Sequence, residues 1–133
     1  MRKYVKTKNL VLHAMKEIYY PNRTNNLDWM GYLITDLNKP TYHHIIKACE
    51  LRRDSLSSIA TLDNGAYLGK LSHEQLHRIE IEDIELYNAW NSLFRIINDS
   101  KTYISDELWK EIFTLQTITK KIDKEVKVKK LVR

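Results

Sequence analysis

Four of the chain's five histidines fall between Thr41 and Glu80: His43 and His44 side by side, then His73 and His77. On a helix, residues four apart lie about 5–6 Å from one another on one face, close enough for two imidazoles to grip one cation. The run from Leu71 to Glu80 holds neither Gly nor Pro and reads as helix. His73 and His77 therefore make half of a metal site, and His43-His44 is the natural supplier of the other half. A chance pair on a surface helix would show the same spacing. The second histidine pair upstream, and the turn signature Asp63-Asn64-Gly65 between the two, are what point to a site.

The elements needed to position these side chains can be read from the pattern around them. Pro40 precedes a stretch with β-branched residues (Thr41, Ile45, Ile46), predicting a strand over 41–46. Asn64-Gly65 tolerates positive φ. Ala66-Tyr67-Leu68 then reads as a short returning strand, paired with the first as a hairpin, before the histidine helix begins near Lys70. The connection from Lys47 to Asp63 is long for a small domain and carries Arg52-Arg53 and Ser55-Leu56-Ser57-Ser58; such loops are usually functional or hold a short element of their own. Upstream, Val11, Leu12, Met15, Ile18 and Tyr19 recur at helical spacing over residues 9–20, stopped by Pro21. His13 lies on this helix as a surface residue. Asp28 is expected to cap a short helix through Trp29, Met30, Leu33 and Ile34. Downstream, Glu82 to Asn98 predicts a helix burying Ile84, Tyr87, Trp90, Leu93, Phe94 and Ile97. Ser105, followed by Asp106 and Glu107, is expected to cap a last helix striped by Leu108, Ile112, Leu115, Ile118 and Ile122.

The expected fold is thus α+β and mostly helical, a small two-strand-and-helix unit embedded among flanking helices. At 133 residues the chain fits one domain, with the histidine unit at 41–80, flanking helices at 9–36 and 82–130, and a basic end at 120–133. Three Gly and two Pro among 133 residues, with 43% hydrophobic content, argue for a folded helical protein rather than a disordered one. The single cysteine, Cys49, excludes an internal disulfide or a CxxC zinc ribbon and fits a reducing cytoplasm. No apolar leader or spanning run is recognisable, so neither secretion nor membrane insertion is expected. The formal net charge is +5, and residues 120–133 alone carry seven basic side chains against Asp123 and Glu125. Such a tail suits a polyanion, because each neutralised phosphate releases counterions; it also suits a helix C-terminus, whose dipole favours cations.

The combination of His43-His44, Asn64, His73 and His77 resembles the HNH endonucleases, the ββα-metal or His-Me finger nucleases, and looks most like the colicin DNase form of that motif. In that form the helical histidine pair begins nine residues after the motif asparagine, as His73 does after Asn64. The resemblance covers roughly residues 41–80, under a third of the chain. It implies a metal-dependent nuclease, most naturally acting on DNA, in which His44 is the general base, Asn64 fixes the loop that aims it, and His43, His73 and His77 hold one divalent metal ion. An imidazole titrating near about 6.5 suits a general base at neutral pH. Successive strand residues point to opposite faces, so His43 and His44 cannot be equivalent, although their two roles can be exchanged. Imidazole ligands favour Zn²⁺, Ni²⁺ or Mn²⁺ over Mg²⁺, whereas members of the family often use Mg²⁺.

Lys47, Arg52 and Arg53 near the site, and Lys127, Lys129 and Lys130 in the tail, are candidates for nucleic-acid binding. The family also suggests a phage or mobile-element context, and a homodimer would supply the two sites that a concerted double-strand break requires. Two features depart from the family pattern. The segment after the histidine pair, Ile46-Lys47-Ala48-Cys49-Glu50-Leu51-Arg52-Arg53, lacks the common glycine pair and proline, and the zinc-binding cysteines that brace many members are absent. Helices must then do the bracing. The competing expectation is a catalytically inactive protein of the same fold that binds nucleic acid or a protein partner as a regulator or inhibitor.

Overall fold

The structure, a computed structural model, describes residues 2–21, 26–46 and 61–132, with side chains described over 8–21, 26–46 and 61–125. The fold is mostly helical with one small sheet. Helix α1 (Arg2–Tyr19) comes first, then strand β1 (Pro40–His44), a 3₁₀ turn (Leu62–Asn64), strand β2 (Gly65–Gly69), and helices α2 (Lys70–Glu82), α3 (Ile84–Ser100) and α4 (Asp106–Val132). β1 and β2 pair antiparallel, Pro40 opposite Gly69, His43 opposite Ala66 and His44 opposite Gly65. The expected hairpin and the histidine helix starting at Lys70 are both present. All five residues of β2 are buried, as befits a strand covered on both faces.

Four features differ from expectation. The strand expected over 41–46 runs Pro40–His44 and leaves Ile45 and Ile46 outside it. Helix α1 begins at Arg2 rather than Asn9. Ile84 is exposed at the first turn of α3. The helix expected over 28–34 does not form, so the flanking segment 9–36 is helical only as far as Tyr19. The cause is Asp28. Its Oδ1 accepts from the N–H groups of Met30 and Tyr32, and its Oδ2 accepts from the N–H of Gly69 at the end of β2. The Asp28 N–H itself is donated to the Tyr32 carbonyl. With Gly31 at a φ of 84°, a conformation glycine adopts without strain, the chain doubles back into a tight loop instead of a helix. That loop lays Trp29 and Met30, both fully buried, into the core, and joins the Trp29 N–H to the Tyr67 carbonyl of β2 at 3.0 Å.

The turn at Thr35–Asn38 that leads into β1 starts α2. A helix leaves its first N–H groups without intrahelical partners. Here the Lys70 N–H is taken by the Lys39 carbonyl and the Leu71 N–H by Asn38 Oδ1, each at 2.8 Å. The core is then closed by α3 and α4. Trp90 donates its indole N–H to Thr119 Oγ1 at 2.8 Å. Gln116 donates to the Met30 carbonyl at 2.9 Å. Asp83 caps α3 by accepting from the Leu86 N–H, and Ser105 accepts from the Leu108 N–H at the start of α4. Among the described residues, no helix is long and apolar enough to cross a membrane.

Candidate functional site

The antiparallel register turns neighbouring β1 side chains to opposite faces. His43 points toward the helices α2 and α3. Its ring lies edge-on to His73, with centroids 5.3 Å apart and planes at 83°, and it also packs edge-on against Tyr87 and Phe94 of α3. His73 and His77, one turn apart on α2, stack at 4.8 Å and 22°. The three expected cation ligands therefore form one continuous group of imidazoles.

Two imidazoles bound to one tetrahedral ion through nitrogens at about 2.0–2.1 Å have ring centres about 5 Å apart, close to both spacings found here. Among the described residues, no three His, Cys, Asp or Glu side chains are placed to hold a metal ion as they stand. The stacked pair explains this, because parallel rings aim their nitrogens side by side rather than at one point. His77, whose side chain is 57% exposed, has room to rotate off the His73 face.

Donor chemistry fits a cation better than ring orientation does. Each ring has one nitrogen engaged by the protein: His43 Nε2 with Asn91 Oδ1 at 2.8 Å, His73 Nδ1 with Thr41 Oγ1 at 3.0 Å, and His77 Nδ1 with Glu80 Oε1 at 3.5 Å. One nitrogen held by an oxygen is the usual outer arrangement of metal-binding histidines. Burial pushes the pKa of His43 down to about 4, with neighbouring His77 and His44 adding to the effect against the Asn91 hydrogen bond. Burial also lowers His73 to about 4, followed by the influence of His43 and His77. Both rings are thus neutral at physiological pH, the form that binds metal.

His44 occupies the other face. It is half-buried, edge-on to Tyr42 at 4.8 Å, and its Nε2 is buried with no hydrogen-bond partner among the described residues. Burial lowers its pKa, and the nearby Lys8 cation of α1 lowers it further.

Asn64 grips the chain just beyond His44. Its Oδ1 accepts from the Ile46 N–H and its Nδ2 donates to the Ile46 carbonyl, both at 2.8 Å, while its own carbonyl accepts from the Ile45 N–H at 2.9 Å. Arg95 of α3 reinforces it, donating from Nη2 to Asn64 Oδ1 at 3.0 Å and from Nη1 to the Asp63 carbonyl at 2.6 Å.

Asn91, Arg95, Thr41 and Lys8 are members of the site that sequence reasoning missed. Asn91 and Arg95 stand one turn apart on α3 and line a cleft of about 580 Å³ with Ile45, Ile46 and Tyr87. No local pattern marks them: α3 also carries Asn88, Ser92 and Asn98, and nothing in the sequence sets Asn91 and Arg95 apart. Lys47, Arg52 and Arg53 lie outside the described residues. Lys127, Lys129 and Lys130 lie on α4, with side chains outside those described.

The chain matches no protein-family model, no curated protein and no solved structure.

Proposed function

We propose that the protein is a metal-dependent nuclease of the HNH kind, hydrolysing phosphodiester bonds in nucleic acid, with DNA the expected substrate. The observation that carries this reading is the meeting of His43 with His73 and His77 across the hairpin and α2, while Asn64 pins the backbone two residues past His44. His43, His73 and His77 are the side chains that would hold the ion. A divalent cation there, Zn²⁺, Ni²⁺, Mn²⁺ or Mg²⁺, would stabilise the charge developing on the phosphate and the leaving oxygen.

The protein's own part is proton transfer and placement. His44, kept neutral by burial and by Lys8, accepts the proton of the attacking water at a ring nitrogen. Asn64, through its paired bonds to Ile46, fixes the direction of the strand end that carries His44. Lys47, Arg52 and Arg53, together with Lys127, Lys129 and Lys130 at the end of α4, supply cations for the phosphate backbone.

A second reading has its own supporting observation. His44 Nε2 is buried, so a water must gain entry before that nitrogen can act as a base. An inactive protein of this fold, binding nucleic acid or a protein partner, would keep such a nitrogen closed.

Plasmid cleavage measured with Mg²⁺, Mn²⁺, Ni²⁺ and Zn²⁺ in turn separates the two. The nuclease reading expects ion-dependent cutting that falls at least ~100-fold in His44→Ala while circular dichroism stays unchanged. Cutting at the wild-type rate by His44→Ala overturns the base assignment. A melting temperature raised by zinc, with no cutting under any ion, selects the inactive protein.

A further inference from the structure

The hydrogen bonds around His43 and His73 fix more than their positions. Thr41 Oγ1 carries one hydrogen and donates it to the Leu68 carbonyl at 2.8 Å. Toward His73 Nδ1, 3.0 Å away, it therefore has only lone pairs, and the ring must donate. Asn91 Oδ1 is an acceptor only, so its 2.8 Å contact with His43 Nε2 requires the hydrogen on that nitrogen. A neutral imidazole carries a single N–H. The two neighbouring rings are consequently held in opposite tautomers, His43 with its lone pair on Nδ1 and His73 with its lone pair on Nε2.

We propose that Asn91, contributed by α3 from outside the hairpin and α2, is a positioning residue that holds His43 as the Nε2–H tautomer and so selects Nδ1 as the nitrogen it offers to a cation. The cation's place rests on the metal-site reading above; the tautomers do not. α3 acts at two points. One turn after Asn91, Arg95 holds Asn64 Oδ1 and the Asp63 carbonyl, so a single face of this helix steadies both the ligand strand and the asparagine that closes it. This is the bracing that a chain without zinc-binding cysteines must find elsewhere. An outer partner of this type raises the ligand's basicity and fixes its ring, and its loss typically lowers metal affinity 10–100-fold.

Two measurements on the full chain test the proposal. In ¹⁵N-histidine-labelled, metal-free protein at pH 7.5, long-range ¹H–¹⁵N correlation spectra report which ring nitrogen carries hydrogen, with assignments made from single His→Gln variants. The expected result is Nε2–H at His43 and Nδ1–H at His73, with Zn²⁺ then perturbing His43 Nδ1 and His73 Nε2. Zinc affinity, measured by competition with a chromophoric chelator, is expected to fall ~10–100-fold in Asn91→Ala and to be restored in Asn91→Asp, which keeps an acceptor at the same place. That rescue, and the tautomer pattern, are readouts that mere helix packing would not move. An Nδ1–H pattern at His43 overturns the proposal, as does wild-type zinc affinity in Asn91→Ala. Wild-type protein that binds no zinc while showing both tautomers overturns the metal reading itself, and with it the part played by Nδ1.

Discussion

Two neutral imidazoles in a protein interior make stability depend on acid in a definite direction. His43 and His73 gain protons only near pH 4 in the folded chain, whereas an unfolded histidine does so near about 6.5. Between those values the unfolded chain binds more protons, so stability rises with pH through the window. The contribution is complete above about pH 6.5 and is lost as the pH falls through the folded value. Metal-free protein should accordingly show a urea midpoint that drops steadily from pH 7 to pH 4 and flattens below. His43→Gln together with His73→Gln should remove most of that slope. A midpoint as flat in the wild type as in the double variant would show that these rings are already protonated in the fold.

At the scale of elements, the junction between β2 and α2 carries the geometry of the histidine helix. Gly69 sits there with the Asn38 side chain against the position a Cβ would occupy, and Asn38 cannot give way without releasing the Leu71 N–H and the Leu33 carbonyl that it bonds. Gly69→Ala should therefore destabilise the protein by roughly 1–3 kcal/mol, the usual cost of a lost cap or an unpaired buried group, read from chemical denaturation. An unchanged midpoint would mean that the cap is dispensable.

This junction also shows how far the sequence could be read. The hairpin, the start of α2 and the last two helices follow from short-range signals, a proline before β-branched residues and apolar side chains at helical spacing. Asn64-Gly65 does end the connection, but without positive φ, Gly65 being extended at a φ of −103°. The loop at Asp28 does not, because its carboxylate works on Gly69, 41 residues away, and local capping rules treat it as the start of a helix. Asn91 was invisible for the same reason, bonding His43 across 48 residues. The histidines were legible by type and spacing, but the oxygens that orient them were not.

For the molecule as a whole, α4 is the clasp that completes the core. Arg78 of α2 binds Asp123 of α4 through two parallel hydrogen bonds of 2.9 and 3.1 Å, and Gln75 adds a third at 3.2 Å. Asp123 is nearly buried, while the Arg78 side chain is about one-third exposed, so part of the attraction is screened by solvent. Asp123→Ala, which strands the Arg78 guanidinium and Gln75, should cost roughly 2–3 kcal/mol, seen as a lower denaturation midpoint. Since α2 carries His73 and His77, the same variant should weaken zinc binding as well. A loss of stability with full zinc affinity would show that the clasp acts on α4 alone.

The bonds at Asn64 bear on what the chain can become. Asn64 ties Ile45 and Ile46 to the start of β2, and Tyr42 ties itself to Thr61 through its hydroxyl, at 2.8 Å to the carbonyl and 3.0 Å to the N–H. The stretch between Ile46 and Thr61 is thus stapled at both feet, and its length does not set the strand register. Closing a longer stretch would add only about 0.6 kcal/mol per doubling. Residues between the two feet should therefore be open to exchange or multiplication while the histidines keep their alignment.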